Sequence, residues 1–222
     1  MQWYSRISRF GDLHMVYGQK WANSCGLAST VMCAFKMNKF AMGQQAVYEE
    51  QKIKEKYEKA SGSPYDPKTQ YTDGKFLQTV LSDVTGKNWA LEWYSEKDRA
   101  GAIIDSVDSY GALALGPTIS SKCCIVLARW GAGGAHWVVV DSVRSAFGFH
   151  WATICDPWDT NLHIVRLTKG QPIKYDAADV SAGVDIGSSG SQASGGKVDT
   201  GVATRTATYA GDAVVDWIIH VT

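Results

Sequence analysis

The sequence predicts an α+β fold from three observations: long helical patterns in the first half, a quick succession of short strand-like runs in the second, and turn signals between those runs. A helical N-terminal lobe, about residues 1–110, is expected to pack through one central buried helix on an antiparallel β-sheet lobe, about residues 111–222. A chain of 222 residues suits one such domain, its lobes sharing a cleft.

Taken in order, residues 1–20 read as irregular, anchored by Trp3, Tyr4 and Phe10. From Cys25 to Met37 the chain is apolar nearly all round and too long for an ordinary strand, so a buried helix is expected over residues 25–37. An amphipathic helix over 44–60 ends at Ser61-Gly62-Ser63-Pro64. Thr72 or Asp73 caps a third helix near 74–84. Asn88–Tyr94 reads as a strand, and 97–109 as a helix with Ile103, Ile104 and Val107 as its apolar stripe. Strands then follow at Cys123–Trp130, His136–Val143, Phe149–Cys155 and Leu162–Leu167, the last three as an antiparallel meander. Residues 181–201, rich in glycine, serine and alanine, read as a flexible segment, and Val214–Val221 as a final apolar strand.

Composition removes several classes of function. Basic and acidic residues are equal at 22 each, so no net field draws the chain to nucleic acid or an anionic membrane. The lysines at 52, 54, 56 and 59 are interleaved with Glu49, Glu50, Glu55 and Glu58, the pattern of a solvated helix face. The longest apolar run is far short of the ~20 residues a membrane span needs, and MQWYSRISRF has no apolar core of a cleavable signal peptide. The five cysteines form no Cys-x-x-Cys pair, which argues against a disulfide framework or a zinc site and for action in a reducing cytoplasm. No cofactor and no metal is expected.

One cysteine stands apart. Cys25 lies where the loop Lys20-Trp21-Ala22-Asn23-Ser24 meets the buried helix. A helix N-terminus favours a thiolate, and its unpaired backbone N–H groups can donate to an oxyanion. Read alone, a free cysteine is more often a small buried hydrophobe, as Cys33 in mid-helix should be. Gln19, six residues upstream, adds a neutral amide donor suited to an oxyanion hole. Gly26 keeps the surroundings of Cys25 uncrowded.

His136 opens a strand after Gly131-Ala132-Gly133-Gly134, and Asp156-Pro157-Trp158 ends the next one. Two hairpin registers are open. Pairing 144 with 148 sets His136 opposite Asp156. Pairing 145 with 149 sets it opposite Trp158, with Asp156 a same-face diagonal neighbour. Either gives the imidazole a carboxylate to fix its tautomer, whereas a slip of one residue points Asp156 to the other face. Asp141 has the wrong parity to serve. His14, His150, His163 and His220 read as core histidines satisfied by backbone groups.

These blocks, Gln19-Lys-Trp-Ala-Asn-Ser-Cys25-Gly26, Ala-His136-Trp-Val-Val-Val and Asp156-Pro-Trp158, resemble the papain-like cysteine proteases in chain order and spacing. The resemblance covers roughly residues 15–167. It implies a papain-like fold with Cys25 as nucleophile, His136 as base, Asp156 as orienter and Gln19 in the oxyanion hole. The Asp-Pro-Trp looks more like the compact bacterial branch of effector or toxin proteases and bacteriocin leader peptidases. With no transporter segment, an effector is the closer match. The resemblance implies a cysteine endopeptidase acting on a protein or peptide substrate, an effector of the kind delivered into a target cell by a specialised secretion system. An immunity or inhibitor protein would be its partner. The alternatives are an amidase or deamidase on side-chain amides or peptidoglycan, and a catalytically silent binding module. The loops 62–72 and 131–135 should border the cleft and set specificity. Residues 168–222 match no known block.

Overall fold

A computed structural model describes residues 3–37, 49–111, 122–131, 133–176, 184–188 and 212–222. In chain order these form β1 (Trp3–Ile7), β2 (Leu13–Tyr17), α1 (Cys25–Met37), α2 (Glu50–Ser61), α3 (Gly74–Thr85), β3 (Trp89–Trp93), α4 (Glu96–Ser106) and β4 (Ser109–Gly111). The strands β5 (Cys124–Arg129), β6 (Ala135–Ala146), β7 (Phe149–Cys155), β8 (Leu162–Leu167), β9 (Lys174–Asp176), β10 (Val184–Ser188) and β11 (Asp212–Val221) follow. The α+β class expected from the sequence is the observed one. Eight strands make one sheet in the order β3-β11-β5-β6-β7-β8, with β4 joining β6 and β9 joining β11; β10, β1 and β2 make a second sheet. All pairings are antiparallel except β4 with β6.

The large sheet carries apolar side chains on both faces, and alternation assigns them. Cys123, Ile125, Trp137 and Val139 join the core around α1, α2 and α3, while Cys124, Val126, Val138 and Val140 join the core beneath α4. The central helix α1 runs between layers, and every residue in it but Lys36 is buried. Its ends explain its span. Ser24 supplies the carbonyl for the Ala28 N–H at 3.0 Å. The other helices stop for ordinary reasons: Gly62 and Gly86 take left-handed φ of 71° and 63° and cap α2 and α3, and the Asp73 carboxylate caps the start of α3 at the Lys75 N–H, 2.8 Å away. Among the described residues no helix is long and apolar enough to cross a membrane.

Gly26 has a packing role beyond leaving Cys25 uncrowded. A Cβ there would lie 2.2 Å from the Thr72 hydroxyl oxygen and 2.7 Å from a Leu77 methyl. α1 and α3 touch through this missing side chain. Gly26→Ala should therefore lower stability by about 1–3 kcal/mol, the usual cost of overpacking, as measured by urea unfolding.

Several boundaries differ from the sequence expectation. Residues 1–20 are not irregular: β1 and β2 form a hairpin whose turn is closed by Ser8 N–H to Asp12 O at 2.9 Å. Their alternation is hard to read because two inward positions are polar. Arg6 is buried by donating to Thr160 O at 3.1 Å, and His14 by the Asp141 carboxylate at 2.5 Å. The helix expected over 97–109 ends at Ser106, where Val107 turns extended and lets 109–111 pair with β6. The first 110 residues are thus not a purely helical lobe, since β3 and β4 both join the large sheet. The face of α2 is not wholly solvated either, because Glu50 is buried. Residues 44–48 of the expected second helix lie outside the described residues. So do 181–183 and 189–201 of the expected flexible segment; the remainder, 184–188, is strand β10 paired with β1.

Candidate active site

The register that places His136 near Asp156 comes from two local irregularities that cancel. Phe147 and Gly148 both adopt positive φ, 50° and 78°, in a two-residue turn between Ala146 and Phe149. That turn alone would put Asp156 on the wrong face. Between Val140 and Ser142 the pairing shifts by one residue, so that Val139 meets Cys155. The bulge at Asp141 restores the parity. Continued for three residues, this register sets His136 against Trp158 with Asp156 as its diagonal neighbour, the placement expected from the second sequence alternative. Neither expected hairpin forms, however: Ser145 pairs with His150 and Ala146 with Phe149, and the bulge supplies the missing shift. The rings of His136 and Trp158 meet edge-on at 5.9 Å.

The imidazole Nε2 lies 2.7 Å from Asp156 Oδ1, and the Cys25 side chain is close enough to the ring to favour its protonated form. The Cys25 sulfur also accepts the backbone N–H of Trp137 at 3.5 Å. Cys25 is the first residue of α1, so its sulfur sits where the helix dipole and the free N–H groups of the first turn favour negative charge. Trp137 locks the strand to the helix: its carbonyl accepts the Ser29 hydroxyl at 3.0 Å and its indole donates to Thr72 O at 3.4 Å.

Burial pushes the His136 imidazole toward its neutral form. The Asp156 charge and hydrogen bond, joined by Cys25, more than offset this and raise it to about 10. A folded value above the ordinary 6.5 means a stabilising contribution that is fully present below about pH 6.5 and is lost as pH rises through about 10. Thermal unfolding from pH 7 to 10.5 should accordingly show a fall in Tm that is smaller in His136→Asn.

Asp156 is held on all sides. Its Oδ1 also accepts the Trp158 N–H at 2.7 Å, closing an Asx turn, and its Oδ2 accepts the Tyr175 hydroxyl. The Asp156 N–H donates to Asn161 O at 3.1 Å. The adjoining Pro157 carbonyl accepts the Gln19 N–H at 2.8 Å, which ties this corner to the loop that leads to Cys25.

Gln19 is fully buried on that loop, with its amide nitrogen donating to the carbonyls of Trp21 (2.8 Å) and Ala22 (3.1 Å). Both its hydrogens are engaged, so the amide clamps residues 19–24 here. Its Oε1 is buried without a hydrogen-bond partner. Glu50 braces the same loop: one carboxylate oxygen accepts the Lys20 N–H at 2.7 Å. Burial raises the Glu50 carboxyl to about 8, against the pull of Ser24 and the Lys20 N–H. Nothing in the interleaved Glu-Lys run distinguished it. Tyr175 and His163 were missed as well. β9 is three residues long and carries no periodic signal, and His163 shares its strand pattern with ordinary core positions.

The remaining histidines meet side chains, where backbone partners were expected: His14 meets Asp141, His150 meets Ser145 Oγ at 2.7 Å, His163 meets Asp159 at 3.0 Å and His220 meets Glu92 at 3.1 Å. Asp141 belongs to His14 and Lys36. All five cysteines are free and buried. Burial pushes the thiols of Cys33, Cys124 and Cys155 well up, which leaves them inert. Two groups hold possible metal-ligating atoms within 4.8 Å of one another: His14, Asp141 and Cys155, and Asp156, Asp159 and His163. In each group protein donors already engage a carboxylate, Lys36 on Asp141 and Tyr175 on Asp156.

A cavity of about 600 Å³ is lined by Tyr71, Trp130, Gly133, Gly134, Ala135 and Val214, with the Arg129–Asp216 ion pair in its wall. It draws on both loops expected to border the cleft, 62–72 through Tyr71 and 131–135 through its glycines. No protein-family model matches this chain, and no curated protein matches it at a significant level.

Proposed function

We propose that the protein is a papain-like cysteine endopeptidase that cleaves a protein or peptide substrate through Cys25, His136 and Asp156. The observation that carries the reading is one imidazole hydrogen-bonded to a buried carboxylate and neighbouring a thiol at the first turn of a helix. A binding module needs no such set.

The chemistry follows from these positions. The Cys25 thiolate attacks the scissile carbonyl carbon, and the resulting oxyanion is met by the N–H groups at the start of α1. Collapse breaks the C–N bond, His136 gives its proton to the departing amine, and a thioester remains. Water, deprotonated by His136, attacks the thioester and releases the acid and the thiolate. Asp156 holds the imidazole in one tautomer and orientation. For Gln19 to join the oxyanion hole, its amide must leave the carbonyls of Trp21 and Ala22. The cavity beside Ala135 has the size and the largely aromatic and aliphatic lining to take a substrate side chain.

Within this reading the chain acts as a bacterial effector or toxin in a reducing cytoplasm, and an immunity-type inhibitor protein would protect its producer. The test is expression of wild type and Cys25→Ala in a bacterial host, with both proteomes compared. The endopeptidase reading expects new protein termini with wild type alone. Intact proteins heavier by about one dalton, the mass difference of an acid replacing an amide, would show a deamidase instead. Identical proteomes and equal toxicity would contradict both.

A further inference from the structure

Resting on the proposed reading of the site, we infer that Tyr175 is a positioning residue for Asp156, supplied by the part of the chain beyond residue 167 that no sequence motif assigns. Its hydroxyl donates to Asp156 Oδ2, the carboxylate oxygen not engaged by His136. The residue is fully buried and its ring is held on two sides. The Trp130 ring lies at 6.2 Å and the His163 ring at 5.2 Å, both edge-on. The backbone of Tyr175 is fixed by pairing with Ala213 in β11, so the last strand of the chain sets the height of the phenol.

The carboxylate is therefore bonded at both oxygens, and its rotamer is determined before substrate arrives. With Oδ2 tied to Tyr175 and Oδ1 to the Trp158 N–H, only one orientation of Oδ1 toward His136 is left. The groups facing Asp156 are His136 from β6, Tyr175 from β9, His163 from β8 with Nε2 3.8 Å from Oδ2, Asp159 behind His163, and the Cys155 thiol next in the chain. Among these, the Tyr175 hydroxyl is a neutral donor within hydrogen-bond reach of Oδ2. A hydrogen bond to the charged form of an acid favours that form, so Tyr175 keeps Asp156 ionised toward lower pH.

The experiment follows the Asp156 carboxyl by ¹³C NMR titration in wild type, in Tyr175→Phe and in protein with 3,5-difluorotyrosine at position 175. Iodoacetamide alkylation of Cys25 is read over the same pH range. Phenylalanine removes the donor, and the Asp156 midpoint should rise by about one pH unit. Difluorotyrosine is a stronger donor and should move the midpoint the other way. The acid limb of Cys25 alkylation should follow in the same directions. A merely structural role would change thermal stability but would not give shifts of opposite sign. Should Tyr175→Phe fail to fold, the downward shift with difluorotyrosine decides the matter alone. An unmoved midpoint in the folded variants overturns the inference while leaving Cys25 reactivity, and with it the proposed function, intact. A wild-type Cys25 no more reactive than an ordinary thiol sinks the functional reading instead, whatever the Asp156 titration shows.

Discussion

His136→Asn is expected to lower the cleavage rate at least about a thousandfold, and Cys25→Ala to abolish it. In the proposed mechanism the imidazole would have two duties, taking the proton of the attacking thiol and protonating the leaving amine. General acid–base catalysis by one side chain is worth about 10²–10⁴, and loss of the charged partner of the thiolate adds to that. Asparagine is close in size to imidazole and can still face Asp156, so the loss is chemical before it is structural. The two substitutions should not add. Cys25→Ala/His136→Asn should be no slower than Cys25→Ala alone, because the residues act on one bond as a unit. The rates are read on the neo-termini found with the wild-type protein, with Tm recorded for each variant.

The largest expected effect on stability lies elsewhere. Arg144 and Asp12 are both fully buried; the guanidinium meets both carboxylate oxygens, Nε at 2.8 Å from Oδ2, and Nη1 donates to Gly111 O at 2.7 Å. One side chain on β6 thus holds the β1–β2 turn and the end of β4. Arg144→Met takes the guanidinium away and leaves a carboxylate in an interior that cannot solvate it. A cost of about 3–5 kcal/mol is expected, or a fall in Tm of about 10 °C for a chain of this size. Adding Asp12→Asn should recover part of it, since the second change removes the buried charge that makes the first expensive. Full additivity in the double variant would contradict this account of the pair.

How much of this was legible in the sequence depended on whether a signal was local. The span of α1 could be read because it is apolar nearly all round and a loop precedes it; Cys25 at its start followed directly. The β6–β7–β8 meander was legible from apolar runs and turns. The nearness of His136 to Asp156 was legible, but from two hairpin registers neither of which forms, because the two-residue turn at Phe147-Gly148 and the bulge at Asp141 each shift the pairing and neither has a decisive sequence mark. β1 and β2 were lost for a different reason. Arg6 and His14 sit at buried positions, and their partners, Thr160 and Asp141, are more than a hundred residues away. The same long-range dependence hid Glu50 and Tyr175, whose importance lies entirely in what tertiary packing brings to them.

Gln19 shows the limit of motif spacing. Its position six residues before Cys25 suggested an oxyanion donor, and the fold does put it on the loop entering α1. The two carbonyls its amide serves are those of that loop, so spacing located the residue while local geometry set its present bonds.

The proposed function requires His136 to make the Cys25 sulfur a nucleophile. It is tested most directly by the rate of iodoacetamide alkylation at Cys25, followed by peptide mapping between pH 6 and 8 in wild type and His136→Asn. A thiol near its usual value of about 8.5 gains close to tenfold in rate per pH unit over that range. Wild type should be alkylated several-fold faster than His136→Asn at pH 6, and the two rates should converge toward pH 8. The same steep rise in both proteins would contradict the proposal.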